Sequence, residues 1–212
     1  QLMAAVRREP SLIQTLEGLD DQALMTRLGL EGVHPEGRFF PDTYHYPKGT
    51  TDVAFLQRAH RRMEAFLQAA WEERQEGLPL KSPYEALILA SIIEKETGIP
   101  SERAKIAGVF IRRLNKGMRL QTDPTVIYGM GDAYDGNIRR RDLTTDTPYN
   151  TYVHKGLTPT PIAMPSGKAI EAALHPEPGE SLYFVATGDG GHHFSASLKE
   201  HNQAVRKYQL KR

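Results

Sequence analysis

The stretch SPYEALILASIIEKETGIP, residues 82–100, constrains the fold more than any other part of the chain. Ser82 followed by Pro83, with Glu85 three residues after the serine, is the signature of a capped helix start. Gly98 and Pro100 supply the stop. Between them lies an almost unbroken apolar run, Leu87 to Ile93, so the segment reads as a largely buried helical post. The run closes in Glu94-Lys95-Glu96, although cations would suit the last turn of a helix better than two carboxylates.

At about 100° per residue, Leu87, Ala90, Ser91 and Glu94 share one face, and Glu96 falls on the side of Glu85 and Leu89. The two glutamates are therefore not a catalytic pair. Glu94 prolongs an apolar face, and poor solvation and the helix dipole both act there to raise a carboxyl pKa. A carboxyl held protonated near neutral pH is what a general acid requires. This makes Glu94 the candidate catalytic residue and leaves Glu96 as solvated or structural. The plainer alternative, that Glu94 ends a core helix and pairs with a neighbouring Arg or Lys, stays open on these residues alone.

The remaining pattern is mainly helical. Thr51 caps a helix expected over 52–76, with Val53, Leu56, Ala59, Met63, Phe66, Leu67, Ala70 and Trp71 at three- and four-residue steps. Further helices are expected within LDDQALMTRLGL, from Ser101 as cap to Gly117, from Pro124 to Tyr128, from Ser166 to about Leu174, and over LKEHNQAVRKYQ. SLYFVA and HHFSAS alternate as short strands and are joined by the Gly-rich TGDGG. The class is α+β: a mainly helical domain with a small antiparallel β-sheet. An aromatic, irregular region before Pro47-Lys48-Gly49 sets a boundary near residue 50, with residues 1–50 preceding a main domain over 51–212.

Several function classes are excluded. Lys plus Arg number 27 against 26 Asp plus Glu, so the chain has no electrostatic footprint for nucleic acid. There are no cysteines, which removes thiol catalysis and Cys-ligated zinc. The eight histidines form no His-Glu-x-x-His, and His192 and His193 point to opposite faces of their strand, so no metal site is expected. GDGG is too short for a phosphate loop, and no cofactor is implied. No apolar run reaches the length of a membrane span. The opening QLMAAVRREP has neither an initiator Met nor a signal-peptide pattern, and reads as the start of a fragment or a processed chain.

An ordinary glycosidase needs two acids. Asp123, Asp132, Asp135, Asp142 and Asp146 are the available partners, and Asp123 before Pro124 reads more simply as a helix cap. The long segment TPYNTYVHKGLTPTP combines aromatic rings with amides and hydroxyls. Sugars are bound by such groups, and an ordered loop uses the same groups to satisfy its own backbone. The residues leave the two readings even.

ASIIEKET, VFIRRLNKGMRLQTDPTVIYG, PYNTYVHKGLTPTPIAMPS and LYFVATGDGGHHFSASLKEHNQAV, in that order, resemble the endolytic murein transglycosylases, the MltG/YceG-like family. EGRFFPDTYHYPKGT resembles the lead into that family's catalytic domain. The resemblance implies a lytic transglycosylase, a lyase that cuts the N-acetylmuramic acid to N-acetylglucosamine bond inside peptidoglycan strands without water and leaves 1,6-anhydro ends. It carries the essential glutamate onto Glu94, acting as acid and then as base, and so removes the need for a second acid. It implies a cleft formed by Gln121, Asp123, Thr125, Tyr149, Asn150 and Tyr152, with His193 and Ser195 beside it. It also implies that residues 1–50 are the end of a LysM-like domain, and that a membrane anchor lies outside this chain. The catalytic domain would then work on the periplasmic or extracytoplasmic side, terminating strands beside synthases of the elongation machinery. Two positions depart from the family pattern: Arg112 where relatives often carry Asn, and GLTPTPI where they often read GLPPGPI. A non-catalytic peptidoglycan-binding scaffold and a muramidase-type hydrolase are the competing readings.

Overall fold

The computed structural model describes residues 2–210. Eight α-helices and one two-stranded sheet follow in the order α1 (Leu2–Arg8), α2 (Asp21–Arg27), α3 (Asp52–Glu72), α4 (Pro83–Glu96), α5 (Arg103–Asn115), α6 (Asp123–Met130), α7 (Gly167–Leu174), β1 (Tyr183–Ala186), β2 (His192–Ser195) and α8 (Leu198–Tyr208). The α+β class is as expected, and no helix among the described residues is long and apolar enough to cross a membrane.

Helix α4 is the axis of the main core. Every residue from Ala86 to Ile93 is buried, so the helix has no solvent face. Met63 and Leu67 of α3, Ile106, Ala107 and Phe110 of α5, and Ala169, Ile170, Ala173 and Leu174 of α7 complete the cluster around it. The small residues of α7 let that helix lie close, and at Gly167 a Cβ would come 2.9 Å from the Phe66 ring. Ser91, the one polar residue in the run, is satisfied twice: its hydroxyl donates to Ile88 O at 2.7 Å and accepts the Ile162 N–H at 2.9 Å. The second bond ties the long loop before α7 to the helix.

Local chemistry explains most of the helix ends. Thr51, Ser82, Ser166 and Ser197 each cap the helix that follows. Two expectations are corrected. Glu85 does not return to Ser82 but accepts the Lys81 N–H at 2.7 Å, so the box is only half closed. Ser101 is not a cap, because a 3-10 turn over Pro100–Glu102 leads into α5 without a side-chain cap.

The sheet pairs Tyr183 with Ser195, Phe184 with Phe194, Val185 with His193 and Ala186 with His192. Its two faces have different neighbours. Tyr183 stacks on His201 and His193 lies against Tyr208, both of α8, while Phe184 meets Phe110 of α5.

The N-terminal segment is built on α3 itself. Val6, Leu12, Leu16, Leu24, Met25, Leu28 and Phe39 share a second core with Leu56 and Ala59. A parallel bridge joins Ile13 to Thr51, and beside it Asp52 is wholly buried. Asp52 accepts the Thr15 N–H at 2.8 Å, the Thr15 hydroxyl at 2.5 Å and the Leu16 N–H at 2.9 Å. Burial alone would raise this carboxyl, but the hydrogen bonds from Thr15, Leu16 and Val53 outweigh it and hold the group below its ordinary value.

Asp52→Ala leaves those donors unpaired and is expected to cost about 2–4 kcal/mol by urea denaturation. Because the folded carboxyl titrates below the unfolded one, its contribution is present above about pH 4 and lost as pH falls further. The variant should lack that acid-dependent loss; an unchanged midpoint would mean that the N-terminal segment docks without it.

Candidate active site

The C-terminal end of α4 opens onto the start of α6. At Thr97 the backbone leaves the helix in an extended conformation, with its N–H still bonded to Ile93 O. The Glu96 side chain turns toward α6, where the Thr122 hydroxyl donates to its Oε1. Thr122 is itself fixed from behind. Its N–H donates to Thr151 Oγ1 at 3.1 Å, and its carbonyl accepts the Thr125 hydroxyl at 2.7 Å. The Gln121 N–H donates to Thr151 O at 3.2 Å. The loop around residue 151 is thereby laced to the segment that faces the acid.

Gln121 has φ of 52°, a left-handed conformation shown by no other non-glycine among the described residues. Such backbone persists where its surroundings over-determine it. Here the determinant is Arg113, only 7% exposed, whose guanidinium donates to Arg119 O at 3.1 Å, Leu120 O at 2.8 Å and Leu182 O at 2.6 Å. One arginine thus clamps the turn before α6 to the start of β1.

Two further groups reach the site. The Tyr152 hydroxyl donates to Asp123 Oδ1 at 2.6 Å. Burial first, and then that hydrogen bond, raise the Tyr152 phenol and keep it a donor. From β2, His192 lies close enough for its charge to act on Glu96. Burial pushes the Glu96 carboxyl up to about 7; Asp123 adds to the rise, and the Thr122 hydroxyl and His192 oppose it. The residue as a whole is half-buried, while the carboxyl itself is poorly solvated.

Glu94 lies elsewhere, as helix geometry requires. Its Oε2 accepts the Ser166 N–H at 3.0 Å and the Ser166 hydroxyl at 2.6 Å, and Arg103 stands 4.0 Å from Oε1. Ser166 is the cap of α7, so Glu94 is a strut binding α4 to the start of that helix. Glu94, the expected acid, has the partners of a structural carboxylate, whereas Glu96, expected to be solvated or structural, is poorly solvated and turned to Thr122. The physical reason is that α4 is buried on every side, so the face of Glu85 and Leu89 leads into protein and not into solvent.

The other expected site residues divide. Asp123 and Tyr152 lie beside Glu96, and Gln121 immediately precedes its partner Thr122 with its side chain turned to Arg113. Asp123 is the first residue of α6 and not its side-chain cap; its carboxylate is turned to Tyr152. Thr125 is fully buried and spent on Thr122 and Thr151, so it is no ligand contact. Asn150 is 1% exposed, and both ends of its amide hold the loop: Nδ2 donates to Asp142 O and Thr145 O, and Oδ1 accepts the Tyr152 N–H. Tyr149 packs on Tyr128, ring centroids 4.8 Å apart, and bonds Thr160. The Thr/Tyr/Asn loop therefore largely satisfies itself. His193 and Ser195 share the sheet face covered by α8, Ser195 being buried there. His192, one residue earlier on the same strand, is the one turned to Glu96. Thr122, Arg113 and Glu102 were not anticipated, and only their spatial convergence identifies them.

Residues 3–207 match the model of the YceG-like family. An endolytic murein transglycosylase of Bacillus subtilis (strain 168) is 37% identical over 225 residues, an alignment covering 98% of this chain and 62% of that protein. One from Streptococcus pneumoniae serotype 2 (strain D39 / NCTC 7466) is 31% identical over 207 residues, covering 95% of this chain and 36% of that protein. The chain thus spans less than two thirds of the length of either relative. The crystal structure of a yceG-like protein of Listeria monocytogenes superposes with a TM-score of 0.70 at 34% identity, covering 85% of this chain and 62% of that one.

The raised Glu96 carboxyl has a consequence for stability. The folded state holds the proton up to about pH 7 and the unfolded chain releases it near its ordinary value, so stability falls as pH rises between the two. Glu96→Gln removes the fall and should leave the protein up to about 3 kcal/mol more stable than wild type at pH 8. At pH 4 the two should be nearly equal. Parallel urea titrations across pH check this; a constant difference would mean that Glu96 titrates normally.

Proposed function

The chain belongs to the YceG-like family, and on that premise we propose that it is an endolytic lytic transglycosylase of peptidoglycan with Glu96 as its single acid–base residue. The observation that carries this reading is a carboxyl pushed up to about 7 at the end of a rigid helix with a fully buried middle, set among Thr122, Asp123 and His192. Near neutral pH such a group is present in both protonation states, which suits a residue that must act first as acid and then as base.

Protonated Glu96 gives its proton to the glycosidic oxygen as the bond from muramic C1 breaks, and the N-acetylglucosamine end leaves as an alcohol. Ionised Glu96 then takes the proton from the muramic C6 hydroxyl as that oxygen bonds to C1, closing the 1,6-anhydro ring. The proton taken up restores Glu96, so no water is consumed and no second carboxylate is needed. The Thr122 hydroxyl steadies the anion between the two steps. Burial, and after it like-charge repulsion from Asp123, favour the protonated form of the resting carboxyl. Gln121 and Tyr152 border the cleft and are the side chains assigned to sugar contact.

The same reading makes residues 1–50 the end of a LysM-like domain and the lead into the catalytic unit. It puts that unit outside the cytoplasmic membrane, held there by an anchor beyond this chain. It also makes the enzyme a terminator of growing strands beside the synthases that extend them.

Digestion of purified peptidoglycan followed by mass spectrometry tests the proposal. Internal cuts ending in anhydro sugar are expected. Products one water heavier would make the protein a muramidase, and binding without products would make it a scaffold. Glu96→Gln should lose about a hundredfold to ten-thousandfold in rate. Glu94→Gln should keep most of its activity at temperatures where α7 stays docked. The reverse ranking would return the chemistry to Glu94.

A further inference from the structure

Glu102, in the 3-10 turn before α5, makes more of the site than its position in sequence suggests. Its Oε1 accepts the His192 N–H at 2.8 Å, and its Oε2 lies 2.8 Å from His192 Nδ1. Oε2 also accepts the Thr97 hydroxyl at 3.3 Å, and Thr97 Oγ1 in turn accepts the Ile99 N–H at 3.0 Å. One carboxylate therefore joins the residue after Glu96 to the strand that carries His192. Both partners are largely withdrawn from solvent, with side chains 12% and 13% exposed. The approach is close: at Gly191 a Cβ would stand 3.3 Å from Glu102 Oε1. The edge of the Phe184 ring fixes the imidazole from another side, 5.3 Å between centroids. With Nδ1 committed to Glu102, Nε2 is the ring nitrogen left over.

We propose that Glu102 and His192 are a positioning pair for the acid, the carboxylate fixing the imidazole beside Glu96 so that it steadies Glu96 as an anion between its two proton transfers. The inference rests on the acid-then-base reading of Glu96. The groups facing Glu96 make the need plain. Asp123 from α6 and burial both disfavour the anion, whereas the Thr122 hydroxyl and His192 favour it. Tyr152 faces it as a neutral phenol. His192 is thus the neighbour whose positive charge would favour the Glu96 anion, and without that charge a Glu96 that had given up its proton would tend to reclaim it from the leaving sugar. Glu102 is itself suited to stay ionised: burial would raise its carboxyl, but the hydrogen bonds and charge of His192, with Thr97, hold it below its ordinary value.

The test is a titration of the Glu96 carboxyl by 13C NMR in wild type, His192→Gln and Glu102→Gln, with the signal assigned by its loss in Glu96→Gln. Loss of a neighbouring cation is expected to move the Glu96 midpoint up by about one pH unit in both variants. The alkaline limb of the peptidoglycan-cutting profile should move with it. Glu102→Asp, which keeps the charge, should hold the midpoint near that of wild type. A midpoint unmoved or lowered in either neutral variant overturns the pair, since a merely structural role would lower activity at every pH and shift nothing. If wild type cuts no glycan, the functional reading fails while the carboxyl titration still decides the pair.

Discussion

The structure depends on burying one helix on all sides. Helix α4 lies among α3, α5 and α7 with no solvent face, and eight consecutive residues from Ala86 to Ile93 are withdrawn from water. A helix so enclosed cannot rotate or slide without disturbing three neighbours, and a densely packed interior resists such shifts. Whatever projects from its end is held to the precision of the core. Two carboxylates project from it in different directions, and the surroundings differentiate them. Glu94 meets a helix N-terminus, two donors and an arginine, and holds α7 in place. Glu96 meets a threonine hydroxyl, with a second carboxylate and a histidine close by.

That difference shows what a poorly solvated acid costs a protein. The Glu94 arrangement stabilises the fold. The Glu96 arrangement opposes it above neutral pH, because a poorly solvated carboxyl must ionise beside Asp123. Strain is stored in the same place: Gln121 is left-handed, and the buried Arg113 holds the turn in that form. Unfavourable backbone and unfavourable charge placement gather at one site, and the large apolar cluster around α4 offsets both.

Much of this was legible in the sequence. The capped starts at Ser82, Thr51 and Ser166, the apolar run of α4 and the hairpin about TGDGG follow from local rules, and they locate nearly every element. The divergence of Glu94 and Glu96 follows from helix geometry. Which of the two enters the cleft does not, because that depends on what packs against each face. An amphipathic helix would have left Glu96 in solvent; this one has no polar side, and neighbours from residues 122 and 192 close over it. Parity produced the second displacement. One residue along β2 separates His192, turned toward the acid, from His193, turned toward α8. The loop about Asn150 has a sugar-binding composition, yet its amide and hydroxyls are consumed in holding its own turns, and only the hydrogen-bond partners show this.

The central claim is that Glu96, and not Glu94, has the environment of an acid poised near neutrality. The most direct measurement is the infrared carbonyl absorption of protonated carboxyls in the wild-type protein, followed across pH and identified by subtraction of the Glu96→Gln and Glu94→Gln spectra. The band missing from Glu96→Gln should vanish with a midpoint near pH 7. A midpoint between about pH 4 and 5, the range of an ordinary glutamate, would contradict the account.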